Sequence, residues 1–223
     1  MLTYNNSVLT FGSNHVWLKP PSAPTPDPYN PLGLPAYTMR FQFSQSGFDP
    51  RNYVTGGTWA QVSVSPNVWD WTYENTNWSY KLSQLVDGEY VYTYVDVLGA
   101  NTTGVTSMRG LFYGNAYEDI GTMLRSVVLF DTSAVTNMTG MFRYCYRLQS
   151  IPLYPTNSVT NMDYAFADCK RVESGSLALY NQASSQSTPP TTYANCFKNC
   201  GTYTVTGAAE LTNIPSSWGG TGA

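Results

Sequence analysis

The sequence predicts an α/β solenoid with one short helix and one strand per unit, a β-rich N-terminal cap region and an extended N-terminal arm. Three observations carry this. A phrase recurs: V-T-N-M-T-G-M-F-R-Y-C over Val135–Cys145 returns as Val105–Phe112, as Val159–Cys169 and, decayed, as Thr191–Cys200. Aligned on Phe112, Phe142, Phe166 and Phe197, the copies are 30, 24 and 31 residues apart. Periods of roughly 20–50 residues mark repeat architectures, in which no unit buries its apolar face alone. Finally, a strand-like run follows each of the first three copies.

Composition narrows the function classes. Charged residues make up 11% of the 223-residue chain, against about 25% in an average domain, while aromatics reach 15% with 18 tyrosines. Such a surface is covered by Tyr, Ser, Thr and Asn. It keeps hydrogen-bonding capacity with little charge repulsion, which suits a protein packed in an assembly or displayed outside a cell. A net charge of −3 and dispersed cations argue against nucleic acid as a partner, since its binders carry basic patches. No window approaches the roughly 18 apolar residues of a membrane span. Residues 1–6 lack the basic and apolar regions of a secretory signal.

Residues 1–18 read as a docking arm: Ser7–Phe11 and His15–Leu18 are strand-like, and Gly12-Ser13-Asn14 is turn chemistry. His15 is a packing residue or, less simply, a ligand. Residues 19–36 form a spacer in which seven of eighteen residues are proline, extended and semi-rigid because proline fixes φ and removes donors. Residues 37–98 are a β-rich aromatic capping region. Thr38, Arg40 and Gln42 alternate with Met39, Phe41 and Phe43, and Trp59–Val64 is a second strand candidate. The rings of Trp69, Trp71, Tyr73, Trp78 and Tyr80 either close the apolar end of the repeats or offer a platform to a sugar or protein. Asp70 and Glu74, four apart, are the one pair that could be drawn as glycosidase carboxylates. From Glu89 to Leu98, Val91, Val95 and Val97 fall on one side of a strand and Tyr90, Tyr92 and Tyr94 on the other. That tyrosine stripe is the first expectation for a contact surface, and Trp69 and Trp71 the second.

Residues 99–215 hold the repeats. Thr106, Thr136, Thr160 or Thr191 precedes each expected helix, where a hydroxyl can cap free N–H groups. Met138, Met141, Phe142 and Cys145 follow at i, i+3, i+4 and i+7, as do Met162, Ala165, Phe166 and Cys169, and Tyr193, Cys196, Phe197 and Cys200. That spacing makes one apolar helical face. Val127–Phe130, Ile151–Tyr154 and Leu177–Tyr180 are the expected strands. Residues 181–190, polar and low in complexity, are an expected loop insertion, and residues 216–223 a loose tail. Cys145, Cys169, Cys196 and Cys200 read as small buried hydrophobes, with neither disulfide nor zinc expected.

Phe130–Phe142, read F-D-T-S-A-V-T-N-M-T-G-M-F, resembles the BspA-type bacterial surface leucine-rich repeat, F-D-T-S-x-V-T-N-M-x-x-M-F-x-x-C. The resemblance is close in the second and third copies and looser in the others. It implies a leucine-rich-repeat-like fold, surface display, adhesion to protein or glycan, and no catalytic residues. Gly57-Thr58-Trp59 and Asn67–Asn75 resemble the lead-in before such repeats in proteins of gut bacteria and their phages.

An adhesin-like repeat without a secretion signal, behind an arm and a spacer, gives the functional expectation: a non-enzymatic phage virion structural or attachment protein without cofactor or metal. The alternative is a bacterial cell-surface or secreted adhesin. Expected partners are other virion proteins, met through residues 1–36, a host-surface glycan or protein, and further copies of the chain. Neither nucleic acid nor a membrane is among them. Hydrolysis rests on Asp70 and Glu74 alone.

Overall fold

The computed structural model describes residues 2–5, 8–11, 14–17, 26–45, 47–54, 56–62, 67–83, 94–114 and 120–223. Near the N-terminus, β1 (Leu2–Asn5), β2 (Val8–Phe11) and β3 (Asn14–Trp17) form an antiparallel three-stranded meander. The two-stranded arm expected there thus has a third strand.

A second sheet has five strands in the order β5-β6-β4-β7-β8. These are β4 (Thr38–Phe43), β5 (Thr58–Gln61), β6 (Val68–Thr72), β7 (Val95–Asn101) and β8 (Leu124–Val127). All neighbours are antiparallel except β7 and β8, which run parallel. The alternation along β4 holds for its buried face: Met39, Phe41 and Phe43 are fully buried while Arg40 and Gln42 are not. Trp69 and Trp71 lie opposite Phe41 and Met39 across the sheet.

The helix-plus-strand solenoid is overturned. The described residues hold three α-helices, α1 (Ile120–Met123), α2 (Ser176–Ser185) and α3 (Val205–Leu211), and none coincides with a repeated phrase. The fold is mostly β, a mixed five-stranded sheet prolonged by stacked turns. Each copy is a chain of turns in which alternate N–H groups go to different places. Met141, Arg143 and Cys145 donate three residues back, to the carbonyls of Met138, Gly140 and Phe142. Between them, Met138, Gly140, Phe142 and Tyr144 donate to Asn161, Asp163, Ala165 and Ala167 of the following copy, at 2.8–2.9 Å. An α-helix capped at Thr136 would keep the Gly140, Phe142 and Tyr144 donors within the segment. Here half are exported, as in a sheet.

The backbone explains why. Gly140, Tyr144, Tyr164, Asp168, Asn195 and Asn199 have φ between 56° and 65°, and one left-handed residue every four positions stops α-helical propagation. Glycine, Asn and Asp tolerate that region. The apolar spacing still selects the buried set, because the turns return the same positions to one side: Met138, Met141, Phe142 and Cys145 are buried, as are Met162, Ala165, Phe166 and Cys169.

The expected threonine helix caps are also corrected. Thr106, Thr136, Thr160 and Thr191 donate their hydroxyls to the carbonyls of Thr76, Thr106, Thr136 and Thr160, the equivalent residues one copy earlier, at 3.0–3.2 Å. The chain of parallel bridges Asn77–Ser107–Asn137–Asn161–Thr192 extends the repeat to a copy at Thr76–Leu82 that the sequence hides, because Trp78 and Leu82 replace the methionine and phenylalanine. Phe112, Phe142, Phe166 and Phe197 stack with centroids 5.2, 5.3 and 5.7 Å apart. Trp218 covers the last ring, and Phe41 meets the first.

The strands expected after each copy are also mostly absent. β8 overlaps only the start of the first, and Ile151–Tyr154 is irregular. Leu177–Tyr180 lies inside α2, where Leu, Ala and Gln favour helix and Ser176, Leu179 and Ala183 share the buried face. α2 also takes in the first part of the expected loop at 181–190. The Glu210 carboxylate on α3 accepts the N–H groups of Gly175 and Leu177 at the start of α2.

Candidate functional site: a cationic groove beside the turn ladder

The groove is built by the column that prolongs β8. Asp96 on β7 faces Ser126 on β8. Its nearly buried carboxylate accepts from the Ser126 hydroxyl at 2.6 Å and from both Nε and Nη2 of Arg125. This two-pronged hydrogen bonding raises the Arg125 pKa above its ordinary value. Gln149 then donates its N–H to the Arg125 carbonyl at 3.0 Å, and Glu173 to the Gln149 carbonyl at 2.8 Å. Arg125, Gln149 and Glu173 are thereby stacked at successive levels. Arg147 and Arg171 stand two residues earlier at two of these levels. The far end is closed by Tyr203, whose N–H donates to the Lys170 carbonyl, and by Thr204, whose hydroxyl donates to the Val172 carbonyl at 2.8 Å.

Together with Tyr94, these residues enclose a groove of about 530 Å³. Three of the eleven Lys and Arg residues of a net acidic chain line it. The guanidinium carbons of Arg147 and Arg125 lie 4.9 and 5.5 Å from the centre of the Tyr94 ring. Stacking engages the flat face of a guanidinium and leaves its in-plane N–H fork available. Among the described residues the ion pairs are Arg40–Asp70, Arg51–Asp49 and Arg125–Asp96. Arg147 and Arg171 belong to none of them. Tyr203 is 70% exposed, with the Lys170 ammonium 5.4 Å from its ring centre.

Of the contact residues expected from sequence, Tyr94 lines this groove and is 43% exposed. Tyr90 and Tyr92 fall within 84–93, outside the described residues. Trp69 and Trp71 do not form a platform, because both rings are core. Trp71 is fully buried, packs edge-on against Trp78 at 4.9 Å and donates its indole N–H to the Gly56 carbonyl at 2.7 Å. Asp70 is committed to Arg40, which reaches it with Nε at 2.7 Å and Nη2 at 2.8 Å. Its carboxylate pairs with a cation and not with Glu74.

All four cysteines are buried. Cys145 and Cys169 donate their thiols to the carbonyls of Phe112 and Phe142 one copy earlier, at 3.1 and 3.0 Å. Burial pushes the thiols of Cys169, Cys196 and Cys200 well above the ordinary range. Among the described residues no group of three or more His, Cys, Asp or Glu could hold a metal ion. No described helix is long and apolar enough to cross a membrane.

Sequence reasoning missed Arg125, Arg147, Arg171 and Tyr203. A signal for two of them was present: Arg147 and Arg171 each stand two residues after a repeat cysteine, Cys145 and Cys169.

Fold and site define a mostly β protein in which a ladder of stacked turns carries a cationic, tyrosine-lined groove. Residues 106–204, from the second rung of the threonine ladder to the groove residue Thr204, match a family described as a Mycoplasma protein of unknown function, DUF285. No curated protein and no solved structure matches the chain.

Proposed function

We propose that this chain is a non-enzymatic attachment module displayed on a surface, with the turn ladder as a rigid scaffold and the groove beside it as the contact site. The observation that carries this reading is the groove itself. Its cations come from successive levels of one hydrogen-bonded ladder, so their spacing is set by backbone and not by flexible loops, and the site is pre-organised for binding. In the first reading the surface is that of a phage virion, with residues 1–36 seated among other virion proteins and the repeats facing a host glycan or protein. The β1–β3 meander and the proline-rich stretch after it support that arrangement.

The second reading is a bacterial cell-surface or secreted adhesin. The match over residues 106–204 to a family of Mycoplasma proteins favours it. Antibody labelling under the electron microscope separates the two: label on purified particles supports the virion reading, and label confined to envelopes of uninfected cells supports the adhesin. A labelled chain that binds neither host cells nor host-surface extracts contradicts attachment in either setting.

A further inference from the structure

We propose that the groove binds a carboxylate-bearing glycan, with Arg147 and Arg171 holding the carboxylate and Tyr203 stacking on a sugar ring. This rests on the attachment reading above and names its ligand class.

Charge comes first. Arg125 is already hydrogen-bonded to Asp96 on two nitrogens, so its role is structural. Arg147 and Arg171 project into the same groove without an ion-pair partner among the described residues. A planar guanidinium fork matches a carboxylate in two-point contact. Arg147 is held in place by its stacking on Tyr94 at 4.9 Å, so less side-chain freedom is lost when an anion binds.

The rest of the lining favours a sugar over an acidic peptide. Tyr203 is 70% exposed, and an aromatic face of that kind packs against the C–H side of a sugar ring. Gln149 and Glu173 supply neutral and anionic acceptors beside it, which suit hydroxyl donors. A polyglutamate peptide would bring only carboxylates to Glu173, whereas an acidic sugar presents ring hydroxyls beside each carboxylate and so satisfies both the arginines and the glutamate.

The test is titration calorimetry of the full chain with three defined probes, an oligogalacturonate, a hyaluronan oligosaccharide and sialyllactose. Each is paired with its methyl-esterified or neutral counterpart, and a short polyglutamate peptide is added. The expected result is binding of at least one acidic glycan, weakened by salt, with no binding of its neutral counterpart. Arg171→Ala and Arg147→Ala should each weaken it by about tenfold or more, the effect of one lost charged hydrogen-bonded contact. Arg147→Lys, which keeps charge but loses the fork, should fall between. Arg171 is exposed, so its alanine variant is expected to keep the parent circular dichroism and melting temperature. Equal binding of acidic and neutral sugars, binding indifferent to both alanine variants, preference for the peptide, or binding of no acidic probe would each overturn the proposal. Host-cell attachment that persists in Arg171→Ala would sink the ligand assignment and leave the attachment reading standing. Failure of the parent chain to attach to host cells would sink the attachment reading itself.

Discussion

Phe142 stacks on Phe166, one copy later, with ring centroids 5.3 Å apart and planes 16° from parallel. Phe112 lies 5.2 Å away on its other face. The ring is fully buried, and its own N–H donates to Ala165 in the same neighbouring copy. Side chain and backbone therefore tie the same pair of copies. Phe142→Ala should cost about 3–5 kcal/mol, the usual loss for a buried phenylalanine, and Phe142→Leu clearly less. Urea unfolding followed by fluorescence measures both. A cost for the alanine variant below about 1 kcal/mol would mean that the stack contributes little.

Gly110 and Gly140 occupy the same place in successive copies, with φ of 56° and 59°, but differ in what a methyl group would meet. At Gly110 it would lie 2.2 Å from the Tyr80 ring, whereas at Gly140 the nearest atom is 3.6 Å away. Gly140→Ala should cost about 1–2 kcal/mol, the left-handed penalty alone. Gly110→Ala should cost more, and the excess should vanish when Tyr80 is also replaced by alanine. A double-mutant cycle in thermal unfolding reads this coupling, and additive costs would place Tyr80 elsewhere.

Stability should fall at alkaline pH. Burial raises the Cys169, Cys196 and Cys200 thiols above their ordinary 9.0, and the Tyr154 phenol above its ordinary 10.0. Because the folded values are the higher ones, the folded chain keeps protons that the unfolded chain gives up. The stabilising contribution is complete below the ordinary thiol value and is lost as pH rises above it. Melting temperature measured from pH 7 upward should hold level and then drop beyond about pH 9. The same burial predicts that a thiol reagent labels none of the four cysteines at pH 7 until denaturant is added. Rapid labelling of the native chain would contradict their placement.

Asp96 should matter more than Asp49. Asp96 is nearly buried and accepts from Arg125 and Ser126, so Asp96→Asn should cost about 1–3 kcal/mol and loosen the groove wall. Asp49 pairs with Arg51, whose side chain is 61% exposed, and exposed pairs contribute little. Asp49→Asn should leave the melting temperature unchanged. Comparable losses in the two variants would contradict the role given to Asp96.

The repeat, its period and its buried residues were legible in the sequence, because Met138, Met141, Phe142 and Cys145 are apolar for the same reason that they are buried. The backbone between them was not. An i, i+3, i+4, i+7 pattern fits an α-helix and also fits turns that return the same positions inward. What separates the two is the left-handed conformation of Tyr144, Tyr164 and Asp168, which tyrosine in particular does not advertise. The copy at Thr76–Leu82 was hidden by side chains adapted to the sheet: Trp78 packs on Trp71 where inner copies carry methionine. Tyr94 could be proposed as a contact because alternation placed it on the polar side of a strand. Arg125, Arg147 and Arg171 meet only through the ladder's register, which periodicity alone does not reveal.

Scalar coupling across hydrogen bonds in an isotopically labelled sample reads directly whether the repeats export their hydrogen bonds to the neighbouring copy. The Phe142 amide nitrogen should couple to the Ala165 carbonyl carbon and the Gly140 nitrogen to that of Asp163. Coupling of Phe142 to the Met138 carbonyl, its partner in an α-helix, would show that the repeats fold as helices and would contradict the account.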